Sequence, residues 1–247
     1  MEIKSFSGKS ITSIEEWLEH SPPIHKELHW KDGRSAKELA KSWLNRDEQS
    51  AVPGELLTLL NSNPVTSKLD FEWAMSEYKT ELDPFGKGRI HDLLLAAKKE
   101  NHLFVISIEA KSDEPFGITV AQRRKNNSVN SKIEQRIETL AKQLFHNVNI
   151  EGLRYQLLHG IAGTLLEAKK QKADFAVFVV QEFSTSLTNP KKQQKNSADL
   201  NLFISTLVNE SVDLKNGSLL GPIRVPVGNE ETNEPSLFFG KIRTEVK

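Results

Sequence analysis

Two carboxylates and a lysine are the residues of this sequence best suited to chemistry: Asp92, Glu109 and Lys111. Carboxylates that lie close together bind hard divalent cations through oxygen, and Mg²⁺ in particular is held by one or two of them with water and substrate phosphate. Such a cation lowers the pKa of a bound water, while a nearby lysine positions or deprotonates the attacking water. If the fold brings the three residues together, we expect hydrolysis of a phosphodiester bond.

Two neighbouring apolar segments must position these residues. The segment 103–111 is typical of a β-strand, in which side chains alternate between the two faces, so Glu109 and Lys111 are predicted to share one face. Asp92 interrupts the earlier apolar segment 89–97, where a buried charge is costly unless it is paired. Antiparallel pairing of the two segments across their short polar connection would place Asp92 beside Glu109.

Short apolar runs bounded by turn residues, and apolar positions at helical spacing, predict the remaining elements. Helices are expected over residues 14–18, 36–44, 53–60, 131–145, 152–171 and 198–208, and strands over residues 71–78, 89–97, 103–111, 175–180, 219–227 and 237–242. Residues 184–197 have the composition of a mobile basic loop. This order of elements is that of an α/β or α+β protein.

The chain is expected to form a single domain over residues 1–247, because no segment has the composition of a linker. Within it, residues 1–68 form a helical N-terminal lead-in, residues 69–182 form the core that carries the three residues above, and residues 183–247 form a C-terminal extension.

Composition limits the classes of partner and of compartment. The 33 Lys and Arg residues balance the 33 Asp and Glu residues, so a nucleic-acid site must be a local patch. The absence of Cys excludes disulfides, thiolate nucleophiles and zinc fingers, and it fits a reducing compartment. The N-terminus lacks the apolar region of a secretory signal, and no apolar run approaches the roughly 20 residues that span a bilayer. We expect a cytoplasmic protein without a membrane partner.

The pattern of Asp92 followed by Glu109-Ala110-Lys111 resembles the signature of the PD-(D/E)XK nuclease superfamily, an Asp on the second core strand followed by Glu-x-Lys on the third. The order of helix, three strands, helix and strand agrees with the core of that superfamily, and the resemblance covers residues 72–180. It implies a restriction-endonuclease-like fold, a mixed central sheet flanked by helices. It also implies hydrolysis of nucleic acid, with DNA as the favoured substrate and RNA left open.

The resemblance also implies the roles of the site residues. Asp92 and Glu109 would bind Mg²⁺ or Mn²⁺, and Lys111 would orient or activate the attacking water. Related families often add a carboxylate upstream of the Asp strand. Glu77 is the first choice for this third metal ligand, ahead of Glu72 and Glu81.

Three segments, residues 33–36, 109–117 and 154–159, look like a bacterial domain family of uncharacterised function within the superfamily. Two features depart from the superfamily pattern. His91 stands where the name-giving Pro would be, and two helical segments rather than one precede the last core strand. The second departure leaves open which helix carries the accessory residue that some members use.

Several polar residues near the predicted site are candidates for supporting roles. Gln156 and Asp113 are candidate accessory residues, and a turn closed by Pro115 and Gly117 is the alternative use of the segment that follows Lys111. Basic residues that could lie beside a phosphate backbone are Arg123, Arg124, Lys125 and Arg154. Charge runs are often simply solvated faces, and no aromatic residues interleave with the basic clusters, so stacking on single strands is not indicated.

Other readings of the sequence remain open. The fold could be a non-catalytic module for binding nucleic acid or protein, or a structural partner in a bacterial defence or toxin complex. Cleavage of both strands by a single-site enzyme commonly needs a homodimer, but no interface can be identified in the sequence. His25 and His29 have the spacing of two ligands on one helical face, yet no third ligand is evident, so we expect no zinc site.

Overall fold

The computed structural model describes residues 1–46, 50–84, 86, 88–128, 131–225 and 234–246, except the side chain of residue 27. The strands are β1 (Ile3–Ser5), β2 (Ser10–Ile11), β3 (Asp70–Thr80), β4 (Arg89–Lys99), β5 (His102–Lys111), β6 (Phe175–Ser184), β7 (Ser218–Ile223) and β8 (Ser236–Glu245). The helices are α1 (Ile14–His20), α2 (Lys26–His29), α3 (Ser35–Leu44), α4 (Gly54–Asn61), α5 (Val120–Lys125), α6 (Ile133–Leu144), α7 (Tyr155–Lys170) and α8 (Pro190–Val208).

The strands form one eight-stranded mixed sheet in the order β2-β1-β3-β4-β5-β6-β8-β7. At its centre β3, β4 and β5 are antiparallel neighbours, which the short connections between them permit. Strands β6 and β8 continue the sheet parallel to β5, and β7 closes it antiparallel to β8. The predicted α/β class, a mixed central sheet flanked by helices, is confirmed.

Alternating side chains give the sheet two apolar faces, and each face is covered by helices. On β5, Ile106 and Ile108 belong to a core cluster with Trp17 of α1 and Trp43 of α3. On β6, Phe178 belongs to the opposite cluster, which includes residues of α6, α7 and α8. The helices of the N-terminal part of the chain therefore cover one face, and the later helices cover the other.

Two sequence predictions about the ends of the chain were wrong. The lead-in over residues 1–68 is not only helical, because β1 joins the sheet parallel to β3; the alternating N-terminal residues are a strand signal. Residues 184–197 are not a loop, since α8 begins at Pro190. Asn189 caps this helix by accepting a hydrogen bond from the Lys191 N–H, and proline at the first helical position is favourable.

The remaining elements lie close to their predicted positions. The strand predicted over residues 219–227 is β7, which ends at Ile223, and residue 227 lies outside the described part of the chain. The helix predicted over residues 152–171 is α7. Within the described ranges, no helix is long and apolar enough to cross a membrane.

A buried hydrogen-bonded group joins α7 to the central sheet. Glu167 of α7 accepts hydrogen bonds from the Tyr78 hydroxyl and the Thr80 hydroxyl of β3, each at 2.9 Å. Thr80 also contacts His91 Nε2 at 3.1 Å, and Ser107 contacts His91 Nδ1 at 2.7 Å. Since buried polar groups are costly without partners, this group fixes the position of α7 over β3, β4 and β5.

Replacement of Glu167 by Ala tests this connection. The Glu167→Ala variant leaves the buried Thr80 hydroxyl and the partly buried Tyr78 hydroxyl without their acceptor. We therefore expect the free energy of unfolding to fall by about 2–4 kcal/mol in denaturant titrations. Glu138→Ala, at an exposed position of α6, is the matched control and is expected to change it by less than about 0.5 kcal/mol. Equal effects of the two substitutions would show that α7 is held by apolar packing alone.

Candidate active site

Glu109 is the buried centre of the site, at the end of β5. Its side chain is only 1% exposed. Oε1 accepts hydrogen bonds from Lys111 Nζ at 2.6 Å and from Gln156 Nε2 at 2.7 Å, and Oε2 is paired with the Arg89 guanidinium. The alternation predicted for β5 is confirmed, because Glu109 and Lys111 face α7 while Ala110 belongs to the opposite core cluster.

Asp92 lies beside Glu109 at the point where β4 separates from β5. Leu93 pairs with Ile108 at the end of the ladder between these strands. Beyond this pair, the Ala110 N–H of β5 donates a hydrogen bond of 2.7 Å to the side-chain Oδ2 of Asp92. The side chain of Asp92 thus takes the place of a strand carbonyl, and it reaches the end of β5 that carries Glu109.

Glu77 completes an acidic group on the neighbouring strand β3. Its backbone is left-handed, with φ at +50°, within a strand whose flanking residues Ser76 and Tyr78 pair regularly with β4. Residues with this backbone conformation are uncommon outside glycine and are worth attention. The side chain makes no hydrogen bond or ion pair with the described part of the chain, and it lines the same cavity as Asp92 and Glu109.

The three carboxylates have different electrostatic environments. Burial, with the nearby charge of Asp92, raises the pKa of Glu77 to about 8. Burial and the charge of Glu109 raise the pKa of Asp92. Burial alone would also raise the pKa of Glu109, but the charges of Lys111 and Arg89 outweigh it and lower that pKa. Glu109 is therefore compensated by cations, whereas Glu77 and Asp92 are short of positive charge.

Arg89 is the residue of the site that the sequence analysis missed. It begins β4, is 6% exposed, and lies against α7 where two glycines leave room for it. A methyl group on Gly163 would lie 3.2 Å from Arg89 Cγ, and one on Gly160 would lie 3.9 Å from Arg89 Nε. The spacing of Gly160 and Gly163 within an otherwise apolar helix was the available signal, because it marks a close approach.

Two histidines near the site, the buried His91 and the partly buried His159, have lowered pKa values. Burial lowers the pKa of His91 well below its usual value, and both ring nitrogens of His91 contact hydroxyls. Burial and the charge of Arg89 lower the pKa of His159 to about 3. His159 Nδ1 is buried without a hydrogen-bond partner among the described residues. Neither residue supplies a positive charge to the site at neutral pH.

A cavity of about 580 Å³ gives access to these groups. One side is formed by the carboxylates with Arg89, Lys111 and Gln156, and the other by residues of the N-terminal helical segments, including Trp30. The size is in the range of sites that enclose a small molecule, ~300–1,000 Å³. The predicted catalytic and metal-binding residues therefore meet in one cavity together with Gln156 of α7.

The other predicted site residues lie elsewhere. Asp113 does not line the cavity; it forms ion pairs with Arg34 at 3.3 Å and with Lys192 at 3.1 Å. It joins α3 and α8 to the end of β5, which is a structural connection. The alternatives Glu72 and Glu81 do not line the cavity either, so Glu77 is the upstream carboxylate that does.

Two of the four candidate phosphate contacts are engaged in ion pairs within the chain. Arg124 pairs with Glu134 at 2.8 Å and with Glu151, and Arg154 pairs with Asp199 at 2.9 Å. These contacts were not predictable, because the partners are distant in the sequence. The pairs lower the positive charge that these side chains offer to a phosphate backbone.

The other two candidates differ from this pair. The Arg123 guanidinium lies 5.6 Å from the centre of the Tyr155 ring, and Lys125 is exposed at the end of α5. Tyr155 begins α7, one residue before Gln156, so Arg123 lies over a ring of the helix that carries Gln156.

A family profile described as "Domain of unknown function (DUF6946)" matches residues 10–246. The chain belongs to this family. The match includes all of the residues that meet in the cavity. No curated protein and no solved structure is significantly similar to the chain.

The donor set of the cavity fits a divalent cation held partly by water. Within the described ranges, no three His, Cys, Asp or Glu side chains converge tightly enough to form a metal centre on their own. However, Mg²⁺ keeps several waters and commonly takes one or two protein carboxylates. Glu77 has no hydrogen-bond or ion-pair partner among the residues that the structure describes, and Asp92 has one backbone donor, so these two would be the ligands. Glu109 is occupied by Lys111, Gln156 and Arg89.

The raised pKa of Glu77 predicts a specific dependence of stability on pH. Because folding favours the protonated form, the stability that Glu77 contributes is complete below pH 4.5 and is lost as pH rises through about 8. Glu77→Gln imitates the protonated form. We expect this variant and the wild type to unfold at similar denaturant concentrations near pH 5, and the variant to be the more stable near pH 9.

Glu72→Gln is the matched control, since Glu72 lies on the same strand but is paired with Lys98 and exposed. It is expected to give no stabilisation at pH 9. A Glu77→Gln variant that tracks the wild type across this range would contradict the assigned environment of Glu77.

Proposed function

We propose that this protein hydrolyses phosphodiester bonds of nucleic acid, most readily DNA, at a PD-(D/E)XK-type site that uses Mg²⁺ or Mn²⁺. The observation that carries the proposal is the meeting of Asp92, Glu109 and Lys111 at the splayed ends of β4 and β5. There Lys111 Nζ lies 2.6 Å from Glu109 Oε1, and Asp92 accepts the Ala110 N–H. A buried carboxylate, Glu109, with a second carboxylate and a buried lysine beside it is costly to maintain, which supports a chemical use.

Lys111 is held so that it can orient a water molecule. One of its three ammonium donors bonds Glu109, and the ammonium lies 5.2 Å from the centre of the Phe116 ring. The remaining donors have no hydrogen-bond partner among the described residues, so they can hold a water oxygen at the cavity, which Lys111 lines. Gln156 fixes Glu109 from the other side, so the lysine has one preferred position.

Asp92 and Glu77 would hold the divalent cation. When bound, it would neutralise charge on a phosphoryl oxygen and make a coordinated water more acidic. Arg89 lines the same cavity, and because Arg89 and Lys111 share one carboxylate, Glu109, the three groups together leave one positive charge for a phosphate. The chain thus supplies cation ligands, a water-orienting lysine and an arginine around one space.

The first test is cleavage of labelled DNA and RNA, single- and double-stranded, with Mg²⁺ or Mn²⁺. Asp92→Asn is expected to abolish hydrolysis by the purified protein, because it removes a cation ligand while keeping the side-chain shape. Asp70→Asn, at an exposed position of β3, is expected to retain full activity. Activity that persists in Asp92→Asn would show that hydrolysis comes from another site or a contaminant.

Lys111→Met tests the role of the lysine separately. Loss of a group that positions the attacking water is expected to lower the rate by about 10²–10⁴-fold. Binding of Mn²⁺ should be retained, because Lys111 is not a ligand. A variant that binds Mn²⁺ and cleaves at the wild-type rate would exclude this role. Lys142→Ala, at an exposed position of α6, serves as the control for cleavage.

One observation favours a second candidate function, a non-catalytic module that keeps this fold to bind nucleic acid or protein. Arg89 is paired with Glu109 and is nearly as buried, so a cation of the chain already occupies this carboxylate. The two functions differ in their dependence on metal. Tight nucleic-acid binding that is indifferent to Mg²⁺, with no cleavage of any substrate, would favour the module.

A further inference from the structure

The reactive groups of the site are withdrawn from the surface. Glu109 is 1% exposed and Lys111 is 5% exposed, and both are reached through the cavity. A nucleotide within a duplex is stacked and paired, so it can enter an enclosed cavity only by leaving the stack, as a base does in enzymes that act on bases. This costs a few kcal/mol for a paired base and least for a base that is already unpaired. The burial therefore favours a substrate whose nucleotide at the site is unpaired.

Aromatic side chains also line the cavity. They come from the N-terminal segments before α3: Trp17, His25, His29 and Trp30. Trp30 is partly buried against the core beneath it, whereas His25 and His29 are exposed and contact each other edge to face at 5.6 Å. Sequence-tolerant binding of single strands depends on aromatic rings of this kind, on which bases stack.

The cavity has groups suited to both parts of a nucleotide, its phosphate and its base. Arg89 and Lys111 provide positive charge, and Arg89 Nε is buried without a hydrogen-bond partner among the described residues. The aromatic side chains provide rings for a base. The volume of about 580 Å³ allows a small molecule rather than a segment of double helix, whose major groove alone is ~12 Å wide.

We infer that the cavity binds one unpaired nucleotide, with its phosphate toward Arg89 and Lys111 and its base against Trp30 and His29, so that the substrate is single-stranded nucleic acid or an unpaired end. This inference rests on the proposed function for its substrate class. It assigns the N-terminal helical segments as the base-binding wall of the site.

Binding can be measured without cleavage. A fluorescently labelled 20-nucleotide single strand and the blunt duplex of the same sequence are titrated with the Asp92→Asn protein in Mg²⁺, with fluorescence anisotropy as the readout. The single strand is expected to bind at least tenfold more tightly than the duplex. Trp30→Ala in this background is expected to weaken single-strand binding about 5- to 150-fold, the range for loss of one base-stacking ring.

His29→Ala tests the same surface if Trp30→Ala fails to fold, because His29 is exposed and its replacement should not disturb the fold. It is expected to weaken single-strand binding about fivefold, while His102→Ala, an exposed histidine remote from the cavity, leaves binding unchanged. Equal affinity for duplex and single strand, unchanged affinity in both aromatic variants, or no binding of either nucleic acid would each overturn the inference.

The result also separates this inference from the proposed hydrolysis. If the wild type binds single strands through Trp30 and His29 but cleaves no substrate, the nucleotide site is supported and the proposed hydrolysis is contradicted. If the wild type cleaves blunt duplex as fast as single strand, and His29→Ala does not change the rate, the proposed hydrolysis is supported and the nucleotide site is contradicted.

Discussion

The buried carboxylate of Glu109 is the constraint on which the arrangement of this protein depends. A carboxylate that is 1% exposed stays ionised only if cations and donors replace the water it has lost. Its three partners come from three elements, Lys111 from β5, Arg89 from β4 and Gln156 from α7. The meeting point of these elements is therefore fixed by one charge, and the cavity lies at that point.

Much of the central sheet could be predicted because its information is local. Alternation along β5 placed Glu109 and Lys111 on one face, and the short connection to β4 allowed only antiparallel pairing. A charge inside the apolar run of β4 identified Asp92. Glu109 and Lys111 are not an ordinary ion pair on an exposed strand face, since both are buried.

The rest of the site depends on contacts between distant parts of the chain. In the sequence, Arg89 is only the polar first residue of a strand, and its place in the site depends on the packing of α7 against it. Asp113 follows the site lysine in the sequence, but in the structure it pairs with Arg34 before α3 and Lys192 of α8. No local pattern in the sequence shows that the N-terminal helical segments line the same cavity as Glu109. The start of α8 could have been predicted from local sequence, because Asn189 followed by Pro190 is a helix-start signal. The polar composition of the segment favoured a loop instead.

Arg89 and Lys111 pair with Glu109, whereas Glu77 and Asp92 form no ion pair among the described residues. This difference distinguishes a metal-dependent site from a structural ion-pair network. Calorimetric titration of Mn²⁺ at pH 8.5, where Glu77 is largely ionised, tests this most directly. The wild type and Asp70→Asn are predicted to bind one Mn²⁺ per chain, and Asp92→Asn none. Failure of the wild type to bind Mn²⁺, or equal binding by Asp92→Asn, would contradict the account.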